Sequence, residues 1–160
     1  MPTKQEHQKL WELIKPIGVG MLSTHHRAKI HSRPMGLVQD QFNGRLYFFT
    51  QDDSLKVAEV TEEQEVGVSF SDPKNQVFVS LSGNARITRN RELMERFWNS
   101  MAKAYFPKGK DDPHLALMEI DIDNAEFWDA DQSRMIQMFK VAKATAQNER
   151  PDLGEHQQYG

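Results

Sequence analysis

Alternating apolar and polar positions dominate the middle of the chain and predict short β-strands. The clearest case is Val77–Ser82, where Val77, Val79 and Leu81 share one face and the intervening residues share the other. The predicted strands cover, in order, Val19–Thr24, Ile30–Val38, Arg45–Thr50, Val66–Ser71, Val77–Ser82 and Met118–Asp123, with Glu126–Trp128 continuing the sixth or starting another.

Apolar residues at helical spacing separate or flank these strands. The predicted helices cover roughly the first fifteen residues, then Asp53 to about Gln64, then a segment with the buried stripe Met94, Phe97, Trp98, Met101 and Tyr105, and finally a helix carrying Met135, Met138, Phe139 and Ala142. We therefore expect one domain over residues 1–148, followed by a polar tail over 149–160.

The connections between strands indicate antiparallel pairing. HHRAK resembles a turn and DQFNG a hairpin, so the first three strands are predicted to form a meander. Gly83 stands where a long strand could bend or bulge. Six or seven short strands joined in this way favour a closed antiparallel barrel with peripheral helices over a parallel sheet.

Composition narrows the classes of function. A chain of 160 residues with a net charge of -3 has the size of one domain and lacks the basic footprint of a nucleic-acid-binding protein. The absence of cysteine excludes disulfides and thiolate chemistry. Because the sequence has neither an 18-residue apolar run nor a leader-like N-terminus, we expect a soluble, cytoplasmic protein without membrane partners.

Arg33 is the first candidate for a ligand contact, because strand alternation places it on the face of Met35 and Leu37. A guanidinium among apolar side chains requires an anion or another acceptor. A bound phosphate would satisfy it. A carboxylate from a neighbouring strand, or a bulge that turns Arg33 to solvent, would serve equally well.

A second cation, Lys56, strengthens the phosphate interpretation. It lies in the first turn of a predicted helix, where the helix dipole disfavours a cation unless an anion binds there too. Thr50 and Ser54 add hydroxyl groups at the same corner. The simpler alternative is that Asp52 and Asp53 cap the helix and Lys56 neutralises them.

Several motifs in a fixed order resemble one known superfamily. SRPM, a strand that ends FFT, SLK, VSLSG before a helix containing FW, and EFWD together are similar to the FMN-binding split-barrel superfamily that includes pyridoxamine 5'-phosphate oxidase. Within it the chain is most similar to the general stress protein branch, from IGVGMLST to the last helix.

This resemblance implies a mainly β fold, a six-stranded antiparallel split β-barrel, that forms a homodimer with one FMN in each of two interface clefts. It implies that Arg33 and Lys56 hold the FMN phosphate, and that Thr50 and Ser54 donate hydrogen bonds to it. The remaining residues expected along the ribityl chain and the ring are Ser32, Pro34, Met35, Phe48, Phe49 and, from the partner subunit, Trp128. For Trp128 the simpler alternative is a place in the core or the dimer interface.

The sequence departs from the true pyridoxamine phosphate oxidases after EFW. Those enzymes carry an arginine, a histidine and a second arginine there, whereas this chain supplies only Arg134. Pyridoxamine phosphate oxidation is therefore not expected. Two hypotheses follow: an FMN-dependent oxidoreductase, or a non-catalytic flavin carrier or sensor. FAD or a deazaflavin is the alternative ligand.

No other motif predicts a catalytic or metal site. The histidines of HHRAKIH, His25, His26 and His31, lack the spacing of a helical zinc motif, so we interpret them as a solvated turn and expect no metal. Redox chemistry would consequently belong to the cofactor, and no catalytic side chain is assigned.

Overall fold

A computed structural model describes residues 4–62, residues 64–129 and the backbone of residues 155–159. The helices are α1 (Lys4–Ile14), α2 (Leu55–Glu62), α3 (Arg91–Phe97) and α4 (Ser100–Tyr105). The strands are β1 (Val19–His26), β2 (Lys29–Gly36), β3 (Arg45–Gln51), β4 (Glu65–Asp72), β5 (Val77–Thr88), β6 (Leu115–Asp129) and β7 (Glu155–Tyr159).

The strands form one curled antiparallel sheet in the order β2-β1-β4-β5-β6-β3, and β7 also pairs with β6. This is the mainly β split barrel that the resemblance implied. The barrel predicted from strand count alone was closed, and this is wrong. Within the described chain β2 and β3 are the two edges of the sheet and do not pair with each other.

The predicted meander of the first three strands is therefore also wrong. β1 and β2 form the expected hairpin, with Arg27 and Ala28 at positive φ in its turn. β3, however, pairs with β6. The segment 37–44 is too long for a tight hairpin turn and instead carries the chain from one edge of the sheet to the other.

The β5–β6 pair has a bulge at Gly83, as predicted. The register between β5 and β6 shifts between Ser82 and Gly83. A β-carbon at Gly83 would lie 2.0 Å from the carbonyl oxygen of Asp121, so the close approach of these two strands requires glycine.

Strand β3 contributes to two separate cores, which explains its continuous apolar run. Leu46 and Phe48 lie in the larger core inside the curled sheet. Tyr47 and Phe49 face the opposite side and pack in a smaller core under α3 and α4. The strand is buried on both faces because those helices cover its outer surface.

The single helix predicted over residues 94–105 is wrong. The chain forms α3 and α4, with Trp98 in an extended conformation between them and the Asn99 side chain capping α4. Met94 and Phe97 are buried as predicted, whereas Met101 and Tyr105 are 61% and 77% exposed. The break turns α4 so that its later apolar residues leave the core.

The C-terminal predictions are tested only in part. The helix expected around Met135 to Ala142 lies outside the described residues, as does Arg134. Within the predicted tail, the backbone of Glu155–Tyr159 adds a strand to β6, which the polar sequence did not predict. Of the described helices, none has the length and apolar character needed to cross a membrane.

Candidate functional site

Arg33 meets a carboxylate, as the alternative interpretation predicted, but from a helix rather than a strand. Its Nη1 donates to Thr24 Oγ1 on β1 at 2.7 Å, and its Nη2 lies 3.4 Å from Glu59 Oε2 on α2. Arg33 and Thr24 come together because β1 and β2 pair with Leu22 opposite Arg33. Helix α2 packs against β1 and brings Glu59 to this pair.

Glu59 is the centre of this polar cluster. It is 1% exposed and accepts hydrogen bonds from Thr24 Oγ1, from Arg33, and from His31 Nδ1 at 2.7 Å. The hydrogen bond from Thr24, with smaller effects of His31 and Arg33, lowers the pKa of Glu59 to about 2 against the opposing effect of burial. Glu59 is therefore a buried, ionised carboxylate with three donors.

Lys56 lies one turn before Glu59 on α2 but has a different environment. Among the described residues no hydrogen bond or ion pair reaches its ammonium group, although the side chain is partly buried. Burial lowers the pKa of Lys56, and the nearby charge of Arg33 lowers it further. Two cations thus lie close enough to repel each other, and only Arg33 has a carboxylate partner in the described chain.

The hydroxyl of Ser54 is the second polar group for which the described residues supply no partner. Its Oγ is buried and has no hydrogen-bond partner within the described residues. A buried hydroxyl without a partner is uncommon, and a polar atom of a bound molecule or a water would satisfy it. The Ser54 carbonyl accepts from Ala58 N at the start of α2, so Ser54 and Lys56 belong to the same helix end.

A cavity of about 280 Å³ opens beside this helix end. Its wall is made by the end of β2 and the residues after it, by Phe49 of β3, and by α4 with Asn99 and Phe106. The lining is mostly apolar, and Lys56 is the charged residue in it. The cavity therefore suits a molecule with an apolar body and an anionic group.

The predicted site residues do not all line this cavity. Pro34, Met35, Phe49 and Lys56 do. Phe48 does not, because its fully buried side chain lies in the larger core. Thr50 is also fully buried, and the one hydrogen bond of its Oγ1 to a described residue is to the Gln51 carbonyl, at 3.5 Å.

Ser32 and Trp128 are not among the residues that line the cavity. Ser32 Oγ is 2.8 Å from Ser23 Oγ across the β1–β2 pair. Trp128 lies opposite Phe78 on the neighbouring strand and is 37% exposed. Within the described chain neither residue lines the cavity, and their ligand contacts stay predictions.

Sequence reasoning missed Glu59 and the contribution of α4. A signal for Glu59 was present, since it stands between Val57 and Val60 on the buried side of α2. The placement of α4 over the cavity had no comparable signal, because it depends on the break at Trp98.

A small acidic group adjoins the helix end without forming an obvious metal site. Asp52, Asp53 and His114 offer ligand atoms within 4.8 Å of one another. Asp52, however, is paired with Arg89, and its Oδ1 lies 3.0 Å from His114 Nδ1. These contacts account for Asp52 without a cation.

The curled antiparallel sheet with peripheral helices is the fold of a small split-barrel protein. The description "Pyridoxamine 5'-phosphate oxidase like" belongs to the family model that matches residues 5–152. The chain is a member of this family.

Similar proteins confirm the resemblance to general stress proteins. General stress protein 26 of Bacillus subtilis is 26% identical over 134 residues, which cover 82% of this chain and 94% of that protein. The crystal structure of the general stress FMN/FAD binding protein from Xanthomonas citri is 31% identical, with a TM-score of 0.71, over 82% of this chain and 93% of that one. A general stress protein 26 structure from Jannaschia has a TM-score of 0.74 at 23% identity, over 98% of this chain and 99% of that one, which supports the fold.

Proposed function

We propose that the protein binds FMN through its phosphate group and acts as a flavin-dependent oxidoreductase. The observation that carries the proposal is a pair of polar groups at the start of α2, the Ser54 hydroxyl and the Lys56 ammonium, for which the described residues supply no partner. Both are groups that a phosphate would satisfy.

The two neighbouring positive charges of Arg33 and Lys56 support an anion near the start of α2. Burial and the charge of Arg33 both lower the pKa of Lys56, so its charged form is less stable here than in water. A phosphate between Arg33 and Lys56 would offset both effects. Thr50 and Ser54 would donate hydroxyl hydrogen bonds to it, as the resemblance implies.

The apolar cavity supports a flavin rather than a bare phosphate. Met35, Pro34 and Phe49 in its wall are suited to the ring system and the ribityl chain. The Xanthomonas citri neighbour is named for both FMN and FAD, so FAD is the second candidate ligand. When bound, the flavin would supply the redox chemistry, and this chain would bind and orient it.

We also propose that the protein is a homodimer. Phe78 and Trp128 are opposite each other on β5 and β6, and both are substantially exposed, at 40% and 37%. Val19 and Met21 of β1 add further exposed apolar surface. Exposed aromatic pairs of this kind are typical of protein interfaces.

The ligand is tested by purifying the protein, denaturing it and identifying any released flavin by absorption and mass. Apo-protein is then titrated with FMN, FAD and riboflavin. We expect FMN to bind more tightly than riboflavin, which has no phosphate. Equal affinities would contradict the phosphate assignment.

The enzyme hypothesis has a separate test. The flavin-loaded protein is mixed anaerobically with NADH or NADPH, and the flavin absorption band is followed. Bleaching supports a nicotinamide-linked oxidoreductase. A band that both nucleotides leave unchanged favours the carrier or sensor.

A further inference from the structure

We propose that Glu59 is a positioning residue that holds the Arg33 guanidinium in place for the ligand phosphate. This inference rests on the proposed function. Glu59 is placed to act on Arg33 because α2 carries both the candidate phosphate contact Lys56 and the carboxylate that meets Arg33.

The first step of the argument is the geometry around Arg33. One Nη atom donates to Thr24 Oγ1 and the other lies 3.4 Å from Glu59 Oε2, while Thr24 itself donates to Glu59. The three side chains form a closed triangle. A long arginine side chain with many rotamers is thereby restricted to one position, although it is still 21% exposed.

The second step is the number of donors that remain. A guanidinium has five N–H groups in a fixed fork, and this triangle uses only part of them. The carboxylate therefore restrains Arg33 without exhausting its capacity to bind an anion. Restraint before binding lowers the entropic cost of forming the phosphate contact.

The third step distinguishes two roles for Glu59: a carboxylate that positions Arg33, and one that merely competes with the phosphate for it. Removing its negative charge would by itself strengthen the attraction between Arg33 and a phosphate. Removing its acceptor oxygens would release the guanidinium and weaken binding. The variants Glu59→Gln and Glu59→Ala both lose the charge, but only Gln keeps an acceptor of similar shape, so their difference isolates positioning.

The experiment measures FMN and riboflavin dissociation constants for the full-length wild-type protein and both variants. We expect Glu59→Ala to bind FMN about tenfold more weakly than Glu59→Gln. We expect the two variants to bind riboflavin equally, because riboflavin has no phosphate for Arg33 to hold. Equal FMN affinities, or an equal loss for riboflavin, would overturn the inference.

A double-mutant cycle tests whether Glu59 acts through Arg33. In an Arg33→Ala background the difference between the Ala and Gln variants at position 59 should disappear. A difference that persists there would show a general structural effect and overturn the inference. Glu119 provides the matched control, since it is also buried and paired with arginines, but with Arg45 and Arg86. Its Ala and Gln variants should not differ in FMN affinity.

If Glu59→Ala fails to fold, Thr24 provides an independent test of the same triangle. Thr24→Ser keeps the hydroxyl and should retain FMN affinity. Thr24→Val keeps the shape of the side chain but has no hydroxyl, and its FMN affinity should be about tenfold lower. Equal FMN affinities of these two variants would contradict positioning. Failure of the wild-type protein to bind any flavin would instead contradict the proposed function itself, which keeps the two failures distinguishable.

Discussion

Lys56 and Glu59 lie three residues apart on α2, yet Glu59 accepts from three donors, whereas the Lys56 ammonium group has no acceptor in the described chain. A surface lysine and glutamate at this spacing would be expected to pair. Here Glu59 turns into the sheet toward Arg33, and Lys56 lines the cavity. The helix thus directs Lys56 and Glu59 to different surroundings, an arrangement that the proposed phosphate would explain.

This separation predicts that Lys56 contributes to binding and not to folding. Lys56→Met should weaken FMN binding about ten- to hundredfold, because it removes a charge-assisted phosphate contact. The ligand-free variant should be at least as stable as wild type, since it loses a partly buried charge for which the described residues supply no partner. FMN titration and urea unfolding measure the two effects, with Lys103→Met on the exposed face of α4 as the control.

The same residue predicts a pH dependence at alkaline pH. The pKa of Lys56 in the folded, ligand-free protein lies below its ordinary value of 10.5, so the unfolded chain binds more protons between these two values. Lys56 should therefore add to the free energy of unfolding a contribution that increases with pH across that window. The component should be absent in Lys56→Met. A pH profile of urea midpoints that is identical for both proteins would contradict the environment described for Lys56.

Glu59 predicts a second pH dependence, at acidic pH, where stability should also rise with pH. Its pKa falls from 4.5 to about 2 on folding, so its contribution is fully present above 4.5 and is lost as pH falls toward 2. Glu59→Gln should be less stable than wild type at pH 7, by an amount on the order of 1–3 kcal/mol. The gap should narrow below pH 4.5. Asp123→Asn, at an exposed position on β6, is the control and should leave the acid profile unchanged.

The exposed aromatic pair gives a test of the proposed dimer. Phe78→Ser and Trp128→Ser should each raise the dimer dissociation constant at least about tenfold, because truncation removes apolar interface area. Sedimentation equilibrium measures this directly. Ile30→Ser removes an even more exposed apolar side chain at the far end of β2 and should leave the assembly intact. Wild-type protein that sediments as a monomer would contradict the dimer.

The sequence predicted strand positions well because alternation is local. Val77, Val79 and Leu81 are buried and Phe78 is not, as their spacing requires. Strand order was predicted less well. The polar connection after β2 resembled a hairpin, but pairing of β3 with β6 depends on contacts between residues far apart in sequence, which no local pattern records.

In the candidate site, too, local features were predictable from the sequence and tertiary contacts were not. The need of Arg33 for an acceptor followed from its position on an apolar face. The identity of that acceptor did not, because Glu59 reaches Arg33 only through the packing of α2 against β1. Likewise, Met101 and Tyr105 continue the apolar spacing of Met94 and Phe97 in sequence. They lie at the cavity instead because the chain breaks at Trp98.

Gly83 offers a test of the bulge that shapes the long β5–β6 pair. Gly83→Ala would place a methyl group 2.0 Å from the Asp121 carbonyl oxygen, which is backbone and cannot move without separating the strands. We expect a loss of roughly 2 kcal/mol or more in the free energy of unfolding, measured by urea denaturation. Gly67→Ala, at a strand position where the nearest such atom is 3.7 Å away, is the matched control and should cost much less. Equal losses at the two positions would mean that the close approach at Gly83 has no energetic consequence of its own, since backbone entropy by itself favours alanine over glycine in a strand.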